Sequence, residues 1–548
     1  MKSDKHRYLR QGSTRRILRA VISAAVAACV CLWLIFLPSC SAKPTNLRTL
    51  APADSLIYLE TNDLGAALQP IIDSRPFTEA AKKKPDLSAL RGVQLAVAVT
   101  GFETKEEKLN EENSIGRVQP HFAAIADTHA WSWQARNFAE NQLGEFINNI
   151  YGGGINLETS PKNGGVSYVW TADDGRKAYA FVDGSLIFFG NDESSIDKCL
   201  AVRRGEGDSI LKNPKLPQAE PSALVQGYVS TDGVAQLANI AGIAMAAGTG
   251  EQEAVKSFIA SSLPQLIRSS VTDVSWTMTK SEQGIEDKYL ISTVAEVSNV
   301  LSETIAPAPS AVDQSFFGIV PGGLPTVTLY KLKDPQVAWR SVLLLAQKQT
   351  DPATGKILSE FSGALFEPYG IRDAELFLSS VGPDLLTANA DADGEKPFVI
   401  TTVKDNEKLK RSITSDLRPT KAATDEGINF WRGKDDDIEA VFTADKLIIG
   451  STQGVGSCFG GGAFPSTPFE KEWLAQLKDS KAPIATLGRD ERSAEQIVST
   501  LSEGKSDEAK AESRYFTETR FTKNGIERKT VSDFGLIGSI IAQLAPEE

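Results

Sequence analysis

Cysteine and histidine are scarce in this sequence, with five of the first and three of the second. Cys29 and Cys31 sit in an apolar run near the N-terminus and Cys40 just after it, so only Cys199 and Cys458 serve the rest of the chain. Two widely separated cysteines exclude a disulfide framework and a Cys/His zinc site. His6 lies in a basic stretch, leaving His121 and His129 for chemistry elsewhere. No H-E-x-x-H and no G-x-S-x-G occurs, so neither the zinc-peptidase helix nor the serine-hydrolase elbow is present. The glycine run GSTQGVGSCFGGGAF, residues 450 to 464, has Phe459 where a dinucleotide fingerprint needs its third glycine, and no Gly-Lys-Ser/Thr. It reads as a loosened loop and not as a phosphate cradle. A basic stripe is missing too. Seven of the 58 Lys and Arg residues fall in the first 40 positions against one of the 70 acids, leaving 51 against 69, a net of −18. Such a body repels a phosphate backbone and excludes nucleic acid as a partner.

What is present begins with the N-terminus. Residues 1 to 19 are basic, and AVISAAVAACVCLWLIFL, residues 20 to 37, carries no charge over eighteen positions. That length is about the minimum for a helix across the hydrocarbon core. The basic flank stays on the cytoplasmic side, so residues after about 40 are extracytoplasmic. Leu37-Pro38-Ser39-Cys40 resembles a bacterial lipobox, which would make Cys40 the lipidated residue. An uncleaved anchor spanning residues 20 to 40 is the second reading, and an ordinary secretory signal the third.

The rest of the chain, with 41% hydrophobic and 23% charged residues, suits large cores. It reads as one plan written twice. ADSLIYLETNDLGAAL (53 to 68) matches LPTVTLYKLKDPQVAW (324 to 339), and PHFAAIADTHAW (120 to 131) matches KPFVITTVKDNEKL (396 to 409). The meander at 166 to 191 faces the one at 428 to 451, with Trp170 opposite Trp431 and Gly190 opposite Gly450. SALVQGYVSTDG (222 to 233) matches KAPIATLGRDER (481 to 492), and EQGIEDKY (282 to 289) matches KNGIERKT (523 to 530). The expectation is an α+β fold of two tandem homologous domains, residues 50 to 302 and 315 to 545, joined by a linker at 303 to 314. Each would be a mostly antiparallel sheet with helices on one face, following the N-terminal membrane segment. Residues 100 to 116 read as an exposed loop of the first copy alone.

Candidate chemical residues have structural explanations. Asp63, Asp127, Asp232, Asp334, Asp405 and Asp490 each stand between a strand pattern and a helix pattern, where Asp caps the first helical turn. His129 would lie in a first helical turn beside Trp131, and His121 has Phe398 opposite it. Cys199 and Cys458 read as small apolar residues, and Trp170 and Trp431 as core anchors. Residues 234 to 248 are too short an apolar stretch to span a bilayer and read as a core helix. No catalytic residue, metal ligand or cofactor is assigned.

Pro52-Ala53-Asp54-Ser55-Leu56-Ile57-Tyr58-Leu59, shortly after the apolar run, and Val403-Lys404-Asp405-Asn406-Glu407-Lys408-Leu409 resemble the bacterial envelope family catalogued as domain of unknown function 3352. The resemblance implies a membrane-tethered protein and carries no catalytic residues. The expected function is a binding or scaffolding module of the envelope without catalysis, whose partners are the membrane and an envelope protein or apolar ligand. The alternatives are an envelope hydrolase with an acidic or serine site, and a carrier of an apolar ligand.

Overall fold

The computed structural model describes residues 45–108, 114–151, 153–248, 253–310, 312–420, 428–434, 437–459, 468–502 and 512–542. The N-terminal basic stretch, the apolar run and Cys40 lie outside the described residues, as do positions 460 to 464 of the glycine run. The chain divides into two units. The first comprises Met1–Tyr289, Glu491–Ala511 and Asp533–Glu548, and the second Leu290–Asp490 and Glu512–Ser532. The fold is α+β throughout, and the strand pairings named below are antiparallel.

The strands of the first unit are β1 (Ile57–Thr61), β2 (Gln94–Lys108), β3 (Ser114–Asp127), β4 (Asn156–Lys162), β5 (Gly165–Thr171), β6 (Lys177–Asp183), β7 (Leu186–Gly190), β8 (Val225–Val229) and β9 (Val271–Ser281). β10 (Gly284–Thr293) carries the chain across the boundary at Tyr289. Pairing runs β4-β5-β6-β7-β3-β2-β1-β8-β9. The second unit has β11 (Thr326–Lys331), β12 (Val381–Asn389), β13 (Pro397–Val403), β14 (Arg418–Pro419), β15 (Asn429–Arg432), β16 (Ile438–Phe442), β17 (Lys446–Ser451), β18 (Ile484–Asp490), β19 (Ser513–Thr522) and β20 (Gly525–Ser532). Its order, β14-β15-β16-β17-β13-β12-β11-β18-β19-β20, follows the same sequence of connections.

Helices on one face was the expectation, and it is corrected: both faces of each sheet are covered. Leu95, Val97 and Val99 of β2 join one core, while Ala96 and Ala98 join another on the opposite face. In the second unit Ile400 faces one core and Val399 the other. The physical reason is local. Successive strand residues point to opposite faces, and these strands are apolar at consecutive positions, which only a sheet buried on both sides tolerates. The first core also takes Ile497, Val498 and Ile541 from the two C-terminal segments.

Of residues 100 to 116, expected as a loop, 100 to 108 and 114 to 116 are strand, and 109 to 113 lie outside the described residues. β2 and β3 continue in register to Lys108↔Ser114 past an irregularity between Val99 and Gly101. Alternating polarity was absent there, but the ladder needs only backbone groups. The segment after Thr304 runs along β11, where Ala308 N donates to Lys331 O at 3.0 Å.

Among the aspartates whose side chains are described, three cap as expected. Asp63 Oδ1 accepts from Ala66 N at 2.8 Å, Asp334 Oδ1 from Val337 N at 3.0 Å, and Asp405 Oδ1 from Lys408 N at 3.1 Å. Asp232 is instead inside the first turn of the helix Thr231–Gly248, and Ser230 Oγ accepts from Gly233 N. Asp490 ends β18, directly before the helix Glu491–Leu501. Replacing Asp334 by Ala should cost about 1 kcal/mol, the usual value of such a cap, read as a shift of the urea midpoint; no shift would remove the capping role.

Candidate functional site

The first place to look is around the two histidines. His121, on β3, has Nδ1 3.5 Å from Asp192 Oδ1 and Nε2 3.5 Å from Glu103 Oε2. Ser194 and Ser195 both donate to Asp192 Oδ2, at 2.6 and 2.8 Å. Ser195 is fully buried, and its hydroxyl also bonds Thr100 Oγ1 at 2.7 Å. A serine nucleophile needs its hydroxyl directed to a base and open to substrate. Here both hydroxyls turn to the carboxylate that caps the helix Glu193–Arg203 by accepting from Ser195 N. The arrangement is a cap network.

Asp127, expected as a cap, is buried and does other work. Its Oδ2 accepts from Thr45 Oγ1 at 2.5 Å and its Oδ1 from His129 N at 3.0 Å. His129 precedes the helix Ser132–Phe138 in place of joining its first turn, and takes φ +50°.

The glycine run also differs from expectation. Thr452–Ser457 forms a short helix whose first turn is held by Ser451 Oγ accepting from Gly454 N at 3.0 Å. The serine cap offsets the low helix propensity of Gly454 and Gly456. Cys199 and Cys458 are free thiols, both pushed up to about 12 by burial, so neither is a nucleophile at neutral pH. Trp170 is fully buried and stacks on Tyr168 at 5.9 Å, and Trp431 packs against Phe442 at 5.6 Å. Among the described residues no three His, Cys, Asp or Glu side chains are placed to hold a metal. No described helix is long and apolar enough to cross a membrane.

Tyr58, one of the residues that carry the family resemblance, joins a buried network. Tyr58 Oη donates to Glu60 Oε2 at 2.9 Å, and Arg48 Nε donates to Glu60 Oε1 at 2.6 Å. Arg48 Nη1 also donates to Pro217 O at 2.6 Å. Burial, reinforced by Glu60, holds the Tyr58 phenol well above its usual range. This network ties the N-terminal segment of the unit to β1.

The second unit contains a cavity of about 320 Å³ between its sheet and its helices. Tyr330 and Leu332 (at and just beyond the end of β11), Leu385 and Thr387 of β12, Val399 of β13 and Ile484 of β18 form the sheet side. Ala338, Trp339 and Val342 of the helix Pro335–Lys348 face them, with Phe377 and Leu378 from the helix Ala374–Ser380. Leu365, Phe366 and Tyr369 complete the wall, and Trp339 meets Phe366 edge-on at 5.1 Å. No charged side chain is among its lining residues. Tyr330 bonds Thr387, and burial raises the phenols of Tyr330 and Tyr369, so both stay neutral. The cavity therefore offers an apolar wall and two or three hydroxyls, a surface that rejects charge because a buried ion without a partner costs several kcal/mol.

Counted from the capping aspartate, the first unit's counterparts of Trp339 and Val342 are Leu68 and Ile71, at 2% and 0% exposure against 39% for Val342. They lie in one core with Phe77, Ile497, Val498 and Ile541. The same helix is thus packed shut in one unit and open in the other. Sequence reasoning missed the cavity; its only local trace is the pair Leu332 and Trp339 around Asp334-Pro335.

No family model matches the chain, and no curated protein does. Solved chains match faintly. Crystal form I of TP0453 is 12% identical with a TM-score of 0.23, covering 43% of this chain and 99% of that one. Crystal form III of TP0453 gives 12%, 0.22, 43% and 99%. Likeness at that level carries no argument.

Proposed function

We propose that this chain is a membrane-tethered, extracytoplasmic binding protein of a bacterial envelope that takes an apolar ligand into the cavity of the second unit. The observation that carries this reading is the uncharged cavity of about 320 Å³ under the sheet. It lies within the range of small-molecule pockets, about 300–1,000 Å³, and has about twice the ~150 Å³ of an apolar cavity that holds one benzene ring. A bicyclic ring system or a medium acyl chain fits that volume, with one polar end at the Tyr330, Thr387 and Tyr369 hydroxyls. The tether is a lipid on Cys40, which then becomes the mature N-terminus, or else the apolar run at 20 to 37 kept as an uncleaved anchor. The common order of strand connections supports descent of the two halves from one tandem duplication. Kinship with the family of domain of unknown function 3352 belongs to the same proposal.

The test is titration with the neutral probe N-phenylnaphthylamine. Saturable binding at one site is expected. Val342 lines the mouth and is exposed, so Val342→Trp blocks entry with little effect on the fold and should weaken binding at least tenfold. Absence of saturable binding, or equal binding by Val342→Trp, would sink the reading.

A further inference from the structure

Trp131 and Trp133 are 71% and 66% exposed, two large aromatic side chains within three positions. Single exposed apolar residues are ordinary, but two large exposed indoles this close in the chain call for a contact. Their place in the fold identifies the partner. The described chain begins at Thr45, which is pinned to this same corner. Thr45 Oγ1 donates to Asp127 Oδ2, Thr45 N donates to Gln94 Oε1 at 2.7 Å, and Gln94 Nε2 returns to Thr45 O at 2.9 Å. Four residues of chain separate Asp127 from Trp131, a reach of no more than about 14 Å. Cys40 is five residues before Thr45, a reach of no more than about 18 Å. The chain thus enters the fold beside the two tryptophans, and eight residues earlier it leaves the uncharged run that ends at Leu37.

We propose that Trp131 and Trp133 seat this corner of the first unit in the interfacial layer of the bilayer that holds the N-terminal segment. The contact rests on the tether reading. Indole suits the headgroup region because it is apolar in body and carries one N–H donor. The net charge of −18 after residue 40 repels anionic lipid, so the attraction is apolar and needs no acidic headgroup. The tether makes the contact effectively intramolecular, so two side chains suffice where a free protein would need more.

The experiment uses the full chain in zwitterionic phosphatidylcholine vesicles with brominated acyl chains, which quench nearby indoles. Trp33 lies inside the apolar run, so Trp33→Phe is the reference. Strong quenching is expected in that reference. Adding Trp131→Ala and Trp133→Ala should reduce the quenched signal by at least half. Equal quenching with and without the pair overturns the contact while the chain still floats with the vesicles. A chain that does not float overturns the tether, and the contact with it.

Discussion

Replacing Asp287 by Ala should destabilise the protein by about 3 kcal/mol at pH 5, since each of two buried donors left without an acceptor costs about 1–3 kcal/mol. Asp287 is 1% exposed. Trp276 Nε1 donates to its Oδ1 and Leu536 N to its Oδ2, both at 2.8 Å. The second bond fastens the helix Gly535–Ala542 to β10 across 249 positions of the chain. Burial pushes this carboxyl up to about 6, against the pull of those two donors. The folded protein therefore holds the proton more tightly than the unfolded chain, whose Asp titrates near 3.9. Above pH 6 the buried charge opposes folding by about 3 kcal/mol; the penalty fades as pH falls through 6 and is gone below about 4. Two results follow. Asp287→Ala costs more at pH 5 than at pH 7.5, because at the higher pH it also removes an unfavourable charge. Asp287→Asn flattens the pH dependence of the urea midpoint between 4 and 6 relative to the parent. An unchanged pH profile in Asp287→Asn would show that another group titrates there.

Gly190→Ala and Gly450→Ala should each cost about 3 kcal/mol, the upper part of the range for overpacking. A Cβ at Gly190 would stand 2.2 Å from Phe122 O, and one at Gly450 would stand 2.3 Å from Pro397 O and 2.5 Å from Phe398 Cα. The obstructing atoms are backbone, held in the ladders that pair Ala123 with Gly190 and Phe398 with Gly450. A flexible side chain could turn aside, but a strand paired on both edges cannot move without breaking its ladder. Urea unfolding of the two variants reads the cost, and a loss below about 1 kcal/mol in either would mean the strands separate freely. Gly190 and Gly450 serve one purpose in two places: a residue at the end of the hairpin's return strand must lie against its neighbour's carbonyl.

Those two glycines were visible as a match in the sequence, and their reason was not. The capping aspartates were legible outright, because a cap depends on three or four consecutive residues. Asp127 looked the same on the page, yet the helix starts five residues later and its carboxylate turns to Thr45, a partner 82 positions away. The Gly-Ile-Glu-x-Lys repeat shows the same division. Both copies open hairpin return strands at Gly284 and Gly525, with φ near +134°, and the Glu and Lys positions alternate outward. The x position is buried in the first copy, as Asp287, and exposed in the second, as Arg528, and the partners Trp276 and Leu536 could only be found in three dimensions.

The sequence by itself determined the α+β class, the polarity rhythm of the strands, the helix starts at Asp63, Asp334 and Asp405, and the absence of metal-binding or nucleophile motifs. Each is a property of neighbours in the chain. Tertiary structure alone decided that the C-terminal helices complete the first core and that the second unit keeps a cavity. A cavity is space that side chains from separate elements fail to fill. No residue encodes it, and it exists only once all of them have packed.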